Sequence, residues 1–192
     1  GDTLDVDTAD FSIAYWVRLD SVPPPFYVSG TYLSDASILV GKGTTVYGYP
    51  ERAGYSIMVR NTDGVYSLSA LWGGAVNDLV YDETPITLND WFHVVQSRCG
   101  TQQTLHLNGQ LMFDITTDAN RDLGVDIVFA LGALDRDPTG HPDQGWLIGA
   151  LDDVRVYKGR CLVDSEILAL ADLNVAVAEQ APSTNTLQLS PN

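Results

Sequence analysis

The sequence predicts an all-β protein, a two-sheet antiparallel β-sandwich with one short helix near residues 164–171. Three observations carry this. Apolar and polar residues alternate with period two through most of the chain. The alternating runs are joined by short Gly-, Asn- and Asp-containing turns, with no long helical pattern between them, which excludes a βαβ arrangement. The 25 acids divide into 21 Asp and 4 Glu. Asp favours turns and caps whereas Glu favours helix interiors.

The elements follow in order. Phe11, Ile13, Tyr15, Val17 and Leu19 alternate with Ser12, Ala14, Trp16 and Arg18, the pattern of a half-buried strand. Ser21 to Asp35 carries Pro23-Pro24-Pro25 and reads as a loop. Further strands are expected at Ser37 to Gly41, Gly54 to Arg60, Val65 to Trp72, Trp91 to Arg98 and Gln103 to Asn108. Asn108-Gly109, two residues that tolerate positive φ, sits between two alternating runs and predicts a tight hairpin into Gln110 to Thr116. Asp126 to Gly132 and Trp146 to Tyr157 complete the strands, separated by a wholly polar loop from Asp135 to Gly145. Asp164 or Ser165 can cap a helix of about two turns whose apolar face is Ile167, Leu168, Leu170 and Ala171. Residues 1–172 therefore form the sandwich. Residues 173–192 form a linker and a final alternating segment, Thr186, Leu187, Gln188, Leu189.

With 192 residues, 45% of them hydrophobic, the chain can bury one domain's core. No stretch approaches the ~20 apolar residues of a membrane span, and no signal-peptide pattern is expected. A net charge of −15 argues against nucleic acid and against anionic membrane surfaces as partners. Two cysteines, Cys99 and Cys161, are too few for a zinc site and can either pair or remain thiols.

Four segments, in order, resemble the laminin-G-like, concanavalin A-like jelly-roll family in its pentraxin-related branch. They are Asp10-Phe11-Ser12-Ile13-Ala14-Tyr15-Trp16-Val17, Asp90-Trp91-Phe92-His93-Val94-Val95, Leu105-His106-Leu107-Asn108-Gly109, and Gly149-Ala150-Leu151-Asp152-Asp153-Val154-Arg155-Val156-Tyr157, followed by the helix at Asp164-Ser165-Glu166-Ile167. The resemblance implies a jelly roll that works outside the cell or on a surface, binds glycans or extracellular proteins and often holds calcium. Sugar hydrolases of this fold place two carboxylates across the bond, but Asp5 and Asp7 lead into a turn and Asp152 and Asp153 point to opposite faces of a strand, so no enzyme is expected. The family topology places the strand Phe11 to Leu19 between Trp91 to Arg98 and Asp152 to Tyr157. Cys99 and Cys161 then emerge at one end, where a disulfide can form.

The resemblance also implies an opening strand ahead of the segment Asp2 to Asp7. Its pattern is found instead at Thr186 to Asn192. A sandwich lacking one strand leaves backbone groups unpaired and an apolar slot open. The far-end segment is therefore expected to fill that slot, either in its own sheet or, by strand addition, in another copy, where repeated head-to-tail contacts build a filament. A linker of 13 residues, Leu173 to Asn185, spans at most ~45 Å, so both routes are within reach.

Calcium needs several oxygen ligands. Asp135, Asp137 and Asp143 lie in the loop that carries calcium ligands in the pentraxin-like relatives, with Leu134 and Arg136 standing where acids are expected there. Asp152, with Asp153 and Asp2 or Asp5, is a second candidate group. For a glycan, Tyr47 and Tyr49 form the best loop platform for sugar stacking, and His141 lies in the polar loop. Tyr27, Tyr32, Trp72 and Trp146 are further candidates, while Trp16 and Trp91 read as structural.

Overall fold

The computed structural model describes residues 4–21, 26–28, 31–33, 36–43, 52–62, 64–74, 79–117, 122–125, 128–133 and 146–178. In chain order these form β1 (Phe11–Ser21), β2 (Phe26–Val28), β3 (Thr31–Leu33), β4 (Ala36–Gly43), β5 (Arg52–Thr62), β6 (Val65–Gly74), β7 (Leu79–Pro85), β8 (Trp91–Cys99), β9 (Gln102–Leu107), β10 (Gln110–Thr116), β11 (Phe129–Leu131), β12 (Ile148–Lys158) and α1 (Asp164–Ala178). One five-stranded sheet runs β10-β9-β8-β1-β12, the other β11-β4-β5-β6-β7, and β2 and β3 form a separate hairpin. Every described pairing is antiparallel.

The core lies between the two large sheets. Phe11, Ile13, Tyr15, Val17 and Leu19 of β1 meet Leu39, Val40, Tyr55, Ile57, Val59, Leu68, Ala70 and Trp72 of the facing sheet, all buried. Residues 4–9 are pinned to it: Val6 is buried, and the Tyr55 hydroxyl donates to the Leu4 carbonyl at 3.1 Å. The buried Arg98 donates to the Asp7 carbonyl at 2.8 Å and to that of Ala9, with its guanidinium over the Phe11 ring. Gly54 (φ +87°) sits where β5 bulges between Arg52 and Tyr55. A Cβ there would lie 1.9 Å from the Lys42 carbonyl oxygen, so only glycine fits.

The Asn108-Gly109 hairpin forms as expected, with φ of 51° and 78°. Asn108 also exchanges two hydrogen bonds with the His93 backbone, both at 2.8 Å. The expected position of β1 between β8 and β12 and the Cys99–Cys161 disulfide are both present, the bridge with a Cα separation of 5.7 Å.

Six expectations change. The loop from Ser21 to Asp35 contains the β2–β3 hairpin. The strand read at Asp126 to Gly132 is only Phe129–Leu131, and β12 starts at Ile148, not Trp146. β7 was not foreseen: three apolar residues followed by Asp82-Glu83-Thr84-Pro85 suit an edge position, where a proline at the strand end, here opposite Ser67, is tolerated. The helix is capped by neither Asp164 nor Ser165. Ile167 makes the first helical bond to the Val163 carbonyl, and the Glu166 carboxylate reaches back to accept the Val163 N–H at 3.1 Å. That is half of a capping box, and it holds the Glu166 carboxyl below its usual range, with Arg160 at 2.6 Å assisting. Finally, α1 continues to Ala178, so the first six residues of the expected linker are helical.

Candidate functional site

Alternation that sends the odd residues of β1 into the core sends Ser12, Ala14, Trp16 and Arg18 to the opposite face of the same sheet. Strand register sets these beside Ser97, Val95, His93 and Trp91 of β8. On β12 their neighbours are Tyr157, Arg155, Asp152 and Ala150. The face is therefore laid out in four rows, and α1 covers the first two. Leu162 and Ile167 pack on Ala14 and Val95. The Leu162 N–H donates to Ser12 Oγ at 2.9 Å, which is itself 2.7 Å from Ser97 Oγ.

The last two rows lie beyond the helix. In the third, the Trp16 and His93 rings are 5.3 Å apart. In the fourth, Trp91 is 42% exposed, and the Arg18 guanidinium stands 5.4 Å over its ring while bonding Asp20 through two nitrogens. Leu151 packs on the core, so alternation puts Ile148 and Ala150 on this same outer face. Trp91, Arg18 and Ile148 thus form an exposed strip crossing three strands, and Trp146, 48% exposed, stands just ahead of β12.

Charge beside the strip is already paired. β12 bulges at Asp153 (φ 49°). Both oxygens of that carboxylate accept from Arg155 at 2.7 Å, while Asp152 Oδ1 accepts the Asp153 N–H at 2.8 Å. Burial pushes the His93 pKa down to about 4; Asp153 opposes this and Arg155 adds to it. His93 is therefore a neutral ring at pH 7. Two rings with apolar faces, next to a guanidinium and fixed carboxylates, can stack a sugar ring and hydrogen-bond its hydroxyls.

Most of the residues expected from sequence to form a site are not among those the structure describes. Asp135, Asp137, Asp143, His141, Tyr47, Tyr49 and the segment Thr186, Leu187, Gln188, Leu189 all lie outside the described residues. Asp152 is described, whereas Asp2, one of the two acids expected beside it and Asp153, lies outside the described residues. Asp153 is paired with Arg155, and Asp5 is 3.1 Å from the buried Lys42 amine. Among the described residues no three His, Cys, Asp or Glu side chains form a metal-binding group. Trp72 is core, edge-on to Phe113 at 5.5 Å. Trp91, read as structural, is exposed. The usable signal was its position: it shares with Arg18 the outward phase of two strands whose inward phase is the core.

Two five-stranded antiparallel sheets face to face, a helix on the outer surface of one and an aromatic strip beside it define a lectin-type β-sandwich. Residues 1–168 match the family described as the concanavalin A-like lectin/glucanases superfamily, and the chain belongs to that superfamily. Similar solved structures include the native heptameric SAP-like pentraxin from Limulus polyphemus, at 12% identity and a TM-score of 0.61, covering 87% of this chain and 71% of the pentraxin. Domain 4 of an extracellular arabinanase from Geobacillus stearothermophilus, in complex with arabinotriose, is 20% identical with a TM-score of 0.57, covering 88% and 68% of the two chains. Trypanosoma rangeli sialidase in complex with sialic acid is 18% identical with a TM-score of 0.60; the match covers 85% of this chain but 23% of the sialidase. At these identities the likeness shows the fold alone. Comparison with curated proteins finds no match. No described helix is long and apolar enough to cross a membrane.

Proposed function

We propose that this chain is a non-enzymatic glycan-binding adhesion module acting outside the cell, with the strip of Trp91, Arg18 and Ile148, together with Trp146, as its contact surface. The observation that carries this reading is the exposure of Trp91 on a sheet face whose other half is packed under a helix, with a second exposed tryptophan, Trp146, at the entry to β12. A ring left in water at that location is available to a sugar's apolar face. The arabinotriose complex of the similar arabinanase domain supports a glycan as partner. The described carboxylates beside the strip are committed to Arg18, Arg155 or backbone, whereas glycoside hydrolysis needs two carboxylates placed across the bond. The disulfide favours an oxidising compartment. Calcium belongs to the proposal only through the loop carboxylates Asp135, Asp137 and Asp143, which would hold the loop next to the start of β12.

Glycan-array screening followed by calorimetry tests this. Trp91→Ala and Trp146→Ala are each expected to weaken binding of the best glycan about tenfold or more, the equivalent of ~1.4 kcal/mol. A chelator is expected to weaken it as well. Binding that ignores both tryptophan changes removes the strip from the reading, indifference to the chelator removes calcium, and the absence of any glycan ligand removes the function.

A further inference from the structure

The two sides of the sandwich are closed unequally. On one side Phe113 of β10 reaches across to Trp72 of β6. On the other, the Leu147 N–H, just ahead of β12, donates to the carbonyl of Gly132, just past β11, at 2.7 Å. β12 pairs with β1 along one edge, and no described strand pairs with its other edge. Its core-facing side chains, Leu151, Val154 and Val156, are only partly buried, whereas Ile13, Tyr15 and Val17 of the adjacent strand are wholly so. Near the start of β12, Leu131 of β11 pairs with Val40 in phase with the core-packed Phe129, yet it is 49% exposed. Apolar side chains thus run beside a backbone edge that no described strand pairs with.

We propose that this edge receives the segment Thr186–Ser190 of a second copy of the chain, added as a strand to β12. The segment matches the edge in pattern: Leu187 and Leu189 alternate with Thr186, Gln188 and Ser190, so one face is apolar and the other polar. It also matches in length. The bulge at Asp153 divides the β12 edge into Ile148–Asp152 and Val154–Lys158, and each run has five residues, as the segment does.

The route of the chain favours a neighbour over the chain's own edge. α1 lies over β8 and β9: Ile167 is against Ala14 and Val95, and Leu168 and Ala171 are against the Gly109 turn. It then continues from Ala171 to Ala178, about 10 Å further at 1.5 Å per residue. Because α1 takes up residues through Ala178, only seven residues, 179–185, remain as linker, with a reach of about 25 Å. A return to the chain's own β12 must cross three strand spacings, about 14 Å, plus the helix layer and the helix overhang, which uses most of that reach. A second copy's edge imposes no such constraint. The contact is head-to-tail, so it propagates into open chains.

Sedimentation velocity over a range of concentrations tests this on the full chain, with Leu187→Asp/Leu189→Asp as the donor-blocked variant and Leu131→Lys as the acceptor-blocked variant, the latter at a half-exposed position that tolerates charge. The wild type is expected to populate multiples of 20.8 kDa that grow with concentration. Each variant alone is expected to remain monomeric, and an equimolar mixture of the two to form a 1:1 dimer and nothing larger. A wild type that stays monomeric at every concentration overturns the proposal. So does assembly that survives both changes, or a monomer whose melting temperature drops on Leu187→Asp/Leu189→Asp, the mark of a strand docked at home.

Discussion

The outer face of the β10-β9-β8-β1-β12 sheet contrasts two halves built on the same strands. Where α1 covers it, the residues are small or mid-sized: Ser12 and Ala14 on β1, Val95 and Ser97 on β8, all buried. Two residues further along the same strands the side chains become Trp16, Arg18, His93 and Trp91. The covered half leaves space for a helix, while in the other half Trp16 and His93 are themselves buried and Trp91 and Arg18 are left at the surface. One face therefore does two jobs. A packed part fixes the sheet, and an open row presents groups that folding does not require. This separation predicts that stability and recognition respond to different substitutions.

Breaking the covered half at its root should have the largest effect. Cys161 ties the segment entering α1 to the end of β8, across a sequence separation of 62. Replacing both cysteines, Cys99→Ser/Cys161→Ser, releases a long closed loop and is expected to cost about 4 kcal/mol. For a chain of this size that lowers the melting temperature by roughly 10 °C. Scanning calorimetry measures the loss. Glycan binding by the folded variant at low temperature should survive, because the strip does not contact the bridge.

The parts of this arrangement legible from sequence are those that local pattern determines. Phe11 to Leu19 announced both faces of β1, and Asn108-Gly109 announced its turn, because φ preference and period-two burial are properties of neighbouring residues. The disulfide came from topology, once the order of three strands was inferred from family-like segments. What escaped depended on distant partners. Which outward residues are covered is decided by Leu162 and Ile167, well over a hundred residues from Ser12 and Ala14 in the chain, so Trp91 looked no different from Trp16. The helix start escaped because Val163 carries no capping side chain and Glu166 supplies the bond from inside the helix. The loop carboxylates and tyrosines are a different case, since they fall outside the described residues.

The boundary between the halves has a pH signature. His106 lies under the start of α1, 3.6 Å from the exposed Asp164 carboxylate, and His93 begins the bare half. Burial lowers both pKa values, with Asp164 opposing the shift at His106. A histidine whose folded pKa lies below its unfolded value of about 6.5 stabilises fully above that value, because the unfolded chain takes up the proton first. Stability should therefore be flat above about pH 6.5 and fall as the pH drops toward about 4, the His93 value. Chemical denaturation at pH 7.5, 6 and 5 measures the slope, and His93→Gln and His106→Gln should each flatten it. A stability that does not change between pH 7.5 and 5 would show that neither ring is held neutral by the fold.

The smallest effect on stability belongs to the bare half. Trp91 heads β8 with much of its ring in water, and its described ring contact is the guanidinium of Arg18, itself at the surface. A cation–π pair at such a site contributes ~0.5–1 kcal/mol, and 42% of the residue's surface stays in water after folding. Trp91→Ala should therefore move the melting temperature by no more than about 3 °C. The same change under the helix has no such latitude, since Ile167 is wholly enclosed by Ala14, Val95 and Leu162 and its truncation leaves a cavity. If Trp91→Ala destabilised the protein as much as Ile167→Ala, the ring would be a structural pillar, and the division of this face into a packed half and a presenting half would fail.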